Sequence, residues 1–269
     1  MSSFGIFTHK DQLGREIKIN TNSPPRIISL VPSQTELLFD LGLDEEIVGI
    51  TKFCIHPKEK VALKTKIGGT KNLNIEKIKS LRPTLVIANK EENEKAQIEE
   101  LAKHFPIWIS DVTDLSRALE MISSVGQMTG KEKEAEELSN KISENFTLFA
   151  PLRETKTTAY LIWKTPMMVA GNGTFINDML NRCGFKNCFE TLPGHYPEIT
   201  ATQLQQANSE LILLSSEPYP FKENHITEFK TLCPDSKIVL VDGELFSWYG
   251  SRLLHAPAYF KKLAERLRQ

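Results

Sequence analysis

Cys54-Ile55-His56-Pro57 is where two ligating side chains first stand close together in this chain. A cysteine and a histidine two residues apart on an extended stretch point the same way. That suits a metal ion or the axial position of a macrocycle, with His56 and Cys54 as the metal pair. Cysteine is also among the most buried residue types, and a histidine is commonly just hydrogen-bonded, so a structural pair stays open beside the metal pair. Asn89-Lys90-Glu91-Glu92-Asn93 ends an apolar run. It reads either as a contact surface for amide or carboxylate groups or as a helix cap with a solvated first turn. Gly68-Gly69-Thr70-Lys71-Asn72 allows close backbone approach, although a Gly-Gly pair is also simply a turn.

A second set is aromatic. Trp163 precedes Lys164, Tyr196 precedes Pro197-Glu198, and Phe246, Trp248 and Tyr249 precede Gly250-Ser251-Arg252. These rings fall at loop positions instead of helical spacing, which favours a stacking surface for a flat ligand over core packing. Arg252 pairs either with an anionic ligand or with Asp242 or Glu244, and His255 three residues later reads as structural. Enzyme signatures are weak. Gly171-Asn172-Gly173-Thr174 lacks the lysine of a phosphate loop, and there is no G-x-S-x-G, H-E-x-x-H or dinucleotide fingerprint. Binding without catalysis is therefore the expectation.

Composition narrows the partners. The chain has 269 residues and a formal net charge of -1, with Lys and Glu interspersed, so nothing marks a nucleic-acid partner. No stretch approaches the ~18 apolar residues of a membrane span. Met1 to Asn20 lacks an apolar core and a small-residue cleavage site, so the chain as written reads as cytoplasmic, and as periplasmic if a leader was removed. The four cysteines form no C-x-x-C pair; Cys183 and Cys188 are close enough to bridge, but reduced structural thiols are the preferred reading. A monomer with no required cofactor is expected.

The elements that position these residues alternate. A hairpin around Asp11 to Gly14 opens the chain, and Arg26 to Val31 is a buried strand. Ser33 with Glu36 makes a capping box for a helix ending at Gly42. Strands at Ile47–Ile50, Leu85–Ala88 and Ile107–Ile109 alternate with helices after Asn74 and from Glu94 to His104, which predicts a mostly parallel sheet covered by helices. An amphipathic helix, capped by Thr129, runs to about Phe149 with apolar positions at Ala135, Leu138, Ile142 and Phe146. A second strand–helix series follows from Thr158. The spacing alone leaves the long helix either an ordinary crossover or a stiff hinge. An internal repeat bears on this. Asn74 through Glu91 aligns without a gap to Thr200 through Glu217, each with a cap, a helix, a polar turn, a buried strand and a closing Glu. The expected fold is therefore α/β: two lobes, each a mostly parallel sheet with flanking helices, joined by one long backbone helix. The divisions are residues 1–129 with the hairpin, the helix 130–150, and residues 151–269. Polar strand-end loops of both lobes would face a cleft.

Several motifs resemble a known family. They are Asp11-x-x-Gly14-Arg15; Pro25-Arg26-Ile27-Ile28-Ser29-Leu30-x-Pro32-Ser33-x-Thr35-Glu36; Gly68-Gly69-x-x-Asn72-x-Asn74-Ile75-Glu76; Gly171-x-Gly173-Thr174-Phe175-Ile176; and Trp248-Tyr249-Gly250-Ser251-Arg252. Together they are similar to the periplasmic binding proteins for vitamin B12, haem and ferric siderophores, and most of all to the cobalamin receptors. The resemblance covers nearly the whole chain in order. It implies capture of a cobalamin-like corrinoid or another metal chelate in the cleft, as in ABC-type import systems. The implied ligand set is Ser33, Cys54, His56, Thr70, Asn89, Lys90, Glu91, Trp163, Tyr196, Phe246, Trp248, Tyr249 and Arg252. It also implies docking on an ABC permease through one exposed glutamate per lobe. Two departures stand out. Thr70, Asn89 and Tyr196 occupy the places of cleft aromatics, and Glu76 supplies the first docking carboxylate while Thr202 stands at the second. The alternative is a cytoplasmic metal-dependent enzyme, or a metal- or corrinoid-handling protein, using Cys54, His56 and a carboxylate such as Glu91 or Glu92.

Overall fold

The computed structural model describes residues 5–152 and 154–268, so the first four residues of the segment inspected for a leader lie outside it. The chain forms two compact units. Unit 1 holds the chain up to Val112 with Ser116–Lys141 and Tyr249–Ser251, and unit 2 holds Thr113–Leu115, Ile142–Trp248 and Arg252 onward.

Unit 1 opens on the antiparallel hairpin β1 (Ile6–Lys10) and β2 (Glu16–Asn20). Its turn explains the Asp-x-x-Gly-Arg motif. Asp11 Oδ1 accepts the Leu13 and Arg15 amides, Arg15 Nε donates to Asp11 Oδ2 at 2.8 Å, and Gly14 takes φ 80°. Then come β3 (Ile27–Ser29), α1 (Pro32–Asp40), β4 (Ile47–Ile50), α2 (Lys58–Ala62), β5 (Gly68–Gly69), β6 (Asn72–Leu73), α3 (Ile75–Leu81), β7 (Leu85–Asn89), α4 (Lys95–Ala102) and β8 (Ile107–Ser110). The strands β4-β3-β7-β8 form one wholly parallel sheet. Their unbroken apolar runs follow from burial on both faces: Ile28, Val86 and Ala88 pack with Ile67, Ile78 and Leu101.

Two expected helix starts differ. Val31, not Ser33, is the N-cap of α1, and no side chain caps it. Proline is pre-organised for the first helical position, so Pro32 starts the helix and carries Ser33 inside its first turn. Thr129 closes α5 (Leu115–Thr129), its hydroxyl donating back to Val125 O at 2.7 Å. Gly130 at φ 69° then breaks the chain before α6 (Glu132–Leu148).

Unit 2 contains β9 (Lys156–Trp163), β10 (Met168–Val169), α7 (Phe175–Cys183), β11 (Phe185–Asn187), α8 (Ala201–Gln206), β12 (Leu211–Ser215), α9 (Glu223–Leu232), β13 (Lys237–Val241), α10 (Glu244–Ser247), a 3₁₀ turn at Ser251–Leu254 and α11 (Ala256–Arg268). Strands β11, β9, β12 and β13 run parallel, and the two-residue β10 pairs antiparallel with β9. The Gly171-x-Gly173-Thr174 motif is structural. A Cβ on Gly171 would meet Gly194 O at 2.8 Å, Gly173 takes φ 73°, and Thr174 caps α7 by accepting the Asn177 amide.

The repeat is present in three dimensions. Asn74 Oδ1 accepts the Lys77 amide to cap α3, and Thr200 Oγ1 accepts the Gln203 amide to cap α8. At equivalent places after each helix, Arg82 (φ 46°) and Asn208 (φ 45°) are the only non-glycine residues with positive φ among those described. Each copy then enters a central parallel strand, β7 or β12.

Candidate ligand-binding site

In an open parallel sheet, ligands collect at the carboxyl ends of the strands, where loops and helix N-termini converge. In unit 1 the end of β7 is closed by side-chain amides. Asn89 is buried, and its Oδ1 accepts the amides of Glu91 and Glu92 at 2.8 and 3.0 Å. Asn93 Oδ1 accepts the Asn89 amide, and Asn93 Nδ2 donates to Leu30 O and Thr70 O. Lys71 Nζ donates to Glu91 O at 2.6 Å. Thr70, Asn89 and Glu91 are thus brought together at the end of β7. Asn89 is committed inward, while Thr70 and Glu91 stay half-exposed. Lys90 projects outward and pairs with Asp111 at 2.9 Å. Tyr249 belongs to this unit, buried, with its hydroxyl donating to Glu92 at 2.9 Å.

The loop after β4 corrects the metal pair. Cys54 is 2% exposed, and its Sγ lies 3.1 Å from Thr35 Oγ1 and 3.3 Å from Thr51 Oγ1. Burial pushes the thiol pKa up, so the thiolate a metal needs is disfavoured. Among the described residues no group of three His, Cys, Asp or Glu side chains is arranged to hold a metal ion, and His56, half-buried, gains no such set. The expected extended stretch is instead a turn at Lys52-Phe53, closed by the Cys54 amide donating to Thr51 O, and it leaves Phe53 (50% exposed) and Ile55 (49%) outward while Cys54 faces in. These two were missed in the sequence. The signal available was an apolar residue on each side of a cysteine in an otherwise polar loop. Ser33 is buried, its hydroxyl without a hydrogen-bond partner.

Unit 2 presents Trp163 at the last position of β9, 38% exposed. Its ring meets Tyr219 edge-on at 5.7 Å, and Nε1 donates to Thr165 O at 3.0 Å. Lys164 beside it is drawn to Glu228 at 2.7 Å. Tyr196 is half-buried and edge-on to His195. Phe246 is not on any ligand face. It is 0% exposed and packed against Tyr160, Tyr259 and Phe260, because α10 turns its apolar side into the core. Trp248 is also buried, and the Arg252 guanidinium stacks 4.9 Å above its ring while pairing with Glu244 at 2.9 Å. Of the two carboxylates proposed for Arg252, Glu244 is the one it meets.

Glu217, at the end of β12, was also missed. Ser247 Oγ lies 2.5 Å from its Oε1, and burial pushes the carboxyl pKa up, with Glu244 and Asp242 raising it further. All four cysteines are free thiols, so Cys183 and Cys188 form no bridge. Glu76 stands exposed in the first turn of α3, 3.2 Å from Lys79, and Thr202 is exposed at the same place on α8.

Residues 27–231 match the periplasmic binding protein family, and the chain belongs to that family. It is 23% identical over 242 residues to a vitamin B12-binding protein of Pectobacterium carotovorum, covering 87% of this chain and 86% of that one. An uncharacterised ABC transporter substrate-binding lipoprotein of Bacillus subtilis is 28% identical over 77% of this chain and 68% of its own length. The solved structure of the periplasmic vitamin B12-binding protein of Vibrio cholerae superimposes with a TM-score of 0.78 at 19% identity, covering 91% and 99% of the two chains. That likeness shows the two-lobed α/β fold that the motifs imply. The class is a solute-binding protein and not an enzyme. No described helix is long and apolar enough to cross a membrane.

Proposed function

We propose that this solute-binding protein captures a cobalamin-like corrinoid or another flat metal chelate and delivers it to an ABC permease, acting as a monomer on the outer side of the membrane. The observation that carries the reading is an aromatic ring left exposed at the carboxyl end of each parallel sheet, Phe53 after β4 and Trp163 at the end of β9. Large rings within the parallel strands, Trp108 on β8 and Tyr160 on β9, are fully buried. An exposed ring on a strand-end loop leaves a face for a planar macrocycle, since aromatic stacking adds about 0.5–1.5 kcal/mol per pair beyond burial. Half-exposed Thr70, Glu91 and Arg252 supply polar groups for the chelate's amide or acidic arms. The vitamin B12-binding relatives support the ligand class. Glu76, on an exposed helix start, is the proposed contact to an arginine of the permease, with Thr202 leaving the second contact weaker.

The test is a visible-spectrum and thermal-shift scan with hydroxocobalamin, haemin and a ferric chelate. One of them is expected to shift its absorption band and raise the midpoint by preferential binding to the folded state. No shift and no stabilisation with any of the three would overturn the reading. The metal-centred alternative gains no support, because Cys54 faces the Thr35 and Thr51 hydroxyls.

A further inference from the structure

Where α9 begins, a histidine stands in the place that a glutamate or glutamine takes in a capping box. His225, the third residue of α9, is buried, and its Nδ1 accepts the amide of the N-cap Lys222 at 2.9 Å. Capping needs only one acceptor, so the second ring nitrogen is left for another task. That nitrogen, Nε2, lies 3.5 Å from the hydroxyl of Tyr219.

Tyr219 sits on the loop between β12 and α9, at the carboxyl end of the unit 2 sheet. Its amide donates to Ile162 O on β9 at 3.2 Å. Its half-buried ring meets Phe221 edge-on at 4.7 Å and Trp163 at 5.7 Å. The phenol is thus fixed beside the exposed ring of the proposed ligand face.

The hydrogen bonding assigns the protons. A nitrogen that accepts a backbone amide carries no hydrogen, so His225 holds its proton on Nε2. An imidazolium, or the Nδ1–H tautomer, would set one N–H against another. With Nε2–H facing it, the Tyr219 oxygen can accept there and cannot donate. Its own proton points elsewhere, and no acceptor for it stands among the described residues. The donors beside it are committed: the Trp163 indole N–H to Thr165 O, and Lys164 to Glu228.

We propose that Tyr219 is a specificity-determining hydrogen-bond donor of the unit 2 ligand face. His225, the positioning residue, holds the phenol oxygen and leaves its O–H for an acceptor oxygen on the rim of a flat chelate stacked on Trp163, such as the carbonyl of an amide arm. The ligand contact rests on the solute-binding reading above; the proton assignment does not.

Nitrogen NMR of the full chain, labelled with ¹⁵N-histidine and free of ligand, reads that assignment. His225→Gln removes one of the six histidine signals and so identifies it, and glutamine keeps the capping bond to Lys222. At neutral pH His225 is expected to show a bare Nδ1 and a protonated Nε2, and Tyr219→Phe to move the Nε2 signal. A protonated Nδ1, or an Nε2 signal indifferent to Tyr219→Phe, overturns the assignment whether or not a ligand is known. Titrations of hydroxocobalamin and haemin, both of which carry rim oxygens, then read the contact. Tyr219→Phe is expected to weaken the chelate that binds by about fivefold, the size of one neutral hydrogen bond. His225→Gln is expected to weaken it in wild type and not in the Tyr219→Phe background, since the two residues act as one unit. Unchanged affinity in Tyr219→Phe, or the same His225→Gln effect in both backgrounds, overturns the role in binding. Binding of neither chelate sinks the solute-binding reading for these ligands and the contact with it, while the nitrogen spectrum still decides the proton assignment.

Discussion

The ends of β7 and β12 are equivalent in the internal repeat, yet they are locked by different chemistry. At β7, Asn89 and Asn93 tie the loop with neutral amides: two backbone amides are held by Asn89, and two carbonyls and one amide by Asn93. At β12, Ser215 stands at the place of Asn89 and Glu217 at the place of Glu91, and the lock is made of hydroxyls and a carboxyl. The backbone repeat sets where the loop must be tied, and the side chains set whether the tie responds to protons. An amide lock is indifferent to pH; a buried carboxyl is not.

The largest effect expected in unit 2 comes from separating its core from its proposed ligand face. Phe246→Ala should lose about 3–5 kcal/mol in urea unfolding, since it empties a fully buried ring site. Trp163→Ala should lose clearly less, about 1–2 kcal/mol, because the ring is partly in solvent and gives up only its edge contact with Tyr219 and its bond to Thr165 O. Equal losses would mean that Trp163 is a core residue and not part of a ligand face.

Breaking the two strand-end locks comes next. Asn93→Ala leaves the buried Asn89 amide and two carbonyls without partners, at roughly 1–3 kcal/mol per stranded group, and the loss should be the same at pH 5 and pH 8. Glu217 should behave otherwise. Its pKa is raised above the ordinary 4.5, so the folded state holds a proton that the unfolded state releases. Its contribution is complete below the ordinary value and is lost as pH rises through the raised one. The stability difference between Glu217→Gln and wild type should therefore shift in favour of glutamine with rising pH. A pH-independent difference would show that the two locks do not differ in kind.

The smallest effect compares the turns that precede the locks. Arg82 and Asn208 share a left-handed backbone. Asparagine tolerates that region and arginine does not, so Arg82→Gly should gain about 1 kcal/mol and Asn208→Gly less. Thermal midpoints of the two variants read this directly.

Much of the fold was legible because period and punctuation are local. The Asn74 and Thr200 caps, the strands at Ile47–Ile50 and Leu85–Asn89, and the repeat follow from residue order. The start of α1 was misread because Ser33 with Glu36 has the form of a capping box, while Pro32 begins the helix one residue earlier. The site was less legible because side-chain direction is settled by tertiary packing. Cys54 turns inward to Thr35, nineteen residues away, and that decides that Phe53 and Ile55 turn out. Phe246 and Trp248 are two residues apart in an aromatic run. Only the packing of α10 on Tyr160 and Phe260 shows Phe246 to be core, and only the stack of Arg252 shows what Trp248 supports. The Glu217 lock joins β12 to α10, thirty residues apart, and no local pattern announces it.

The most direct test of the account is a calorimetric titration of hydroxocobalamin, haemin and a ferric chelate into wild type and into Phe53→Ala/Trp163→Ala. One chelate should bind the wild type saturably, and the double variant, still folded, should bind it at least about tenfold more weakly. Undiminished binding in the double variant, or no binding of any of the three by the wild type, would contradict the claim that exposed strand-end aromatics hold a metal chelate.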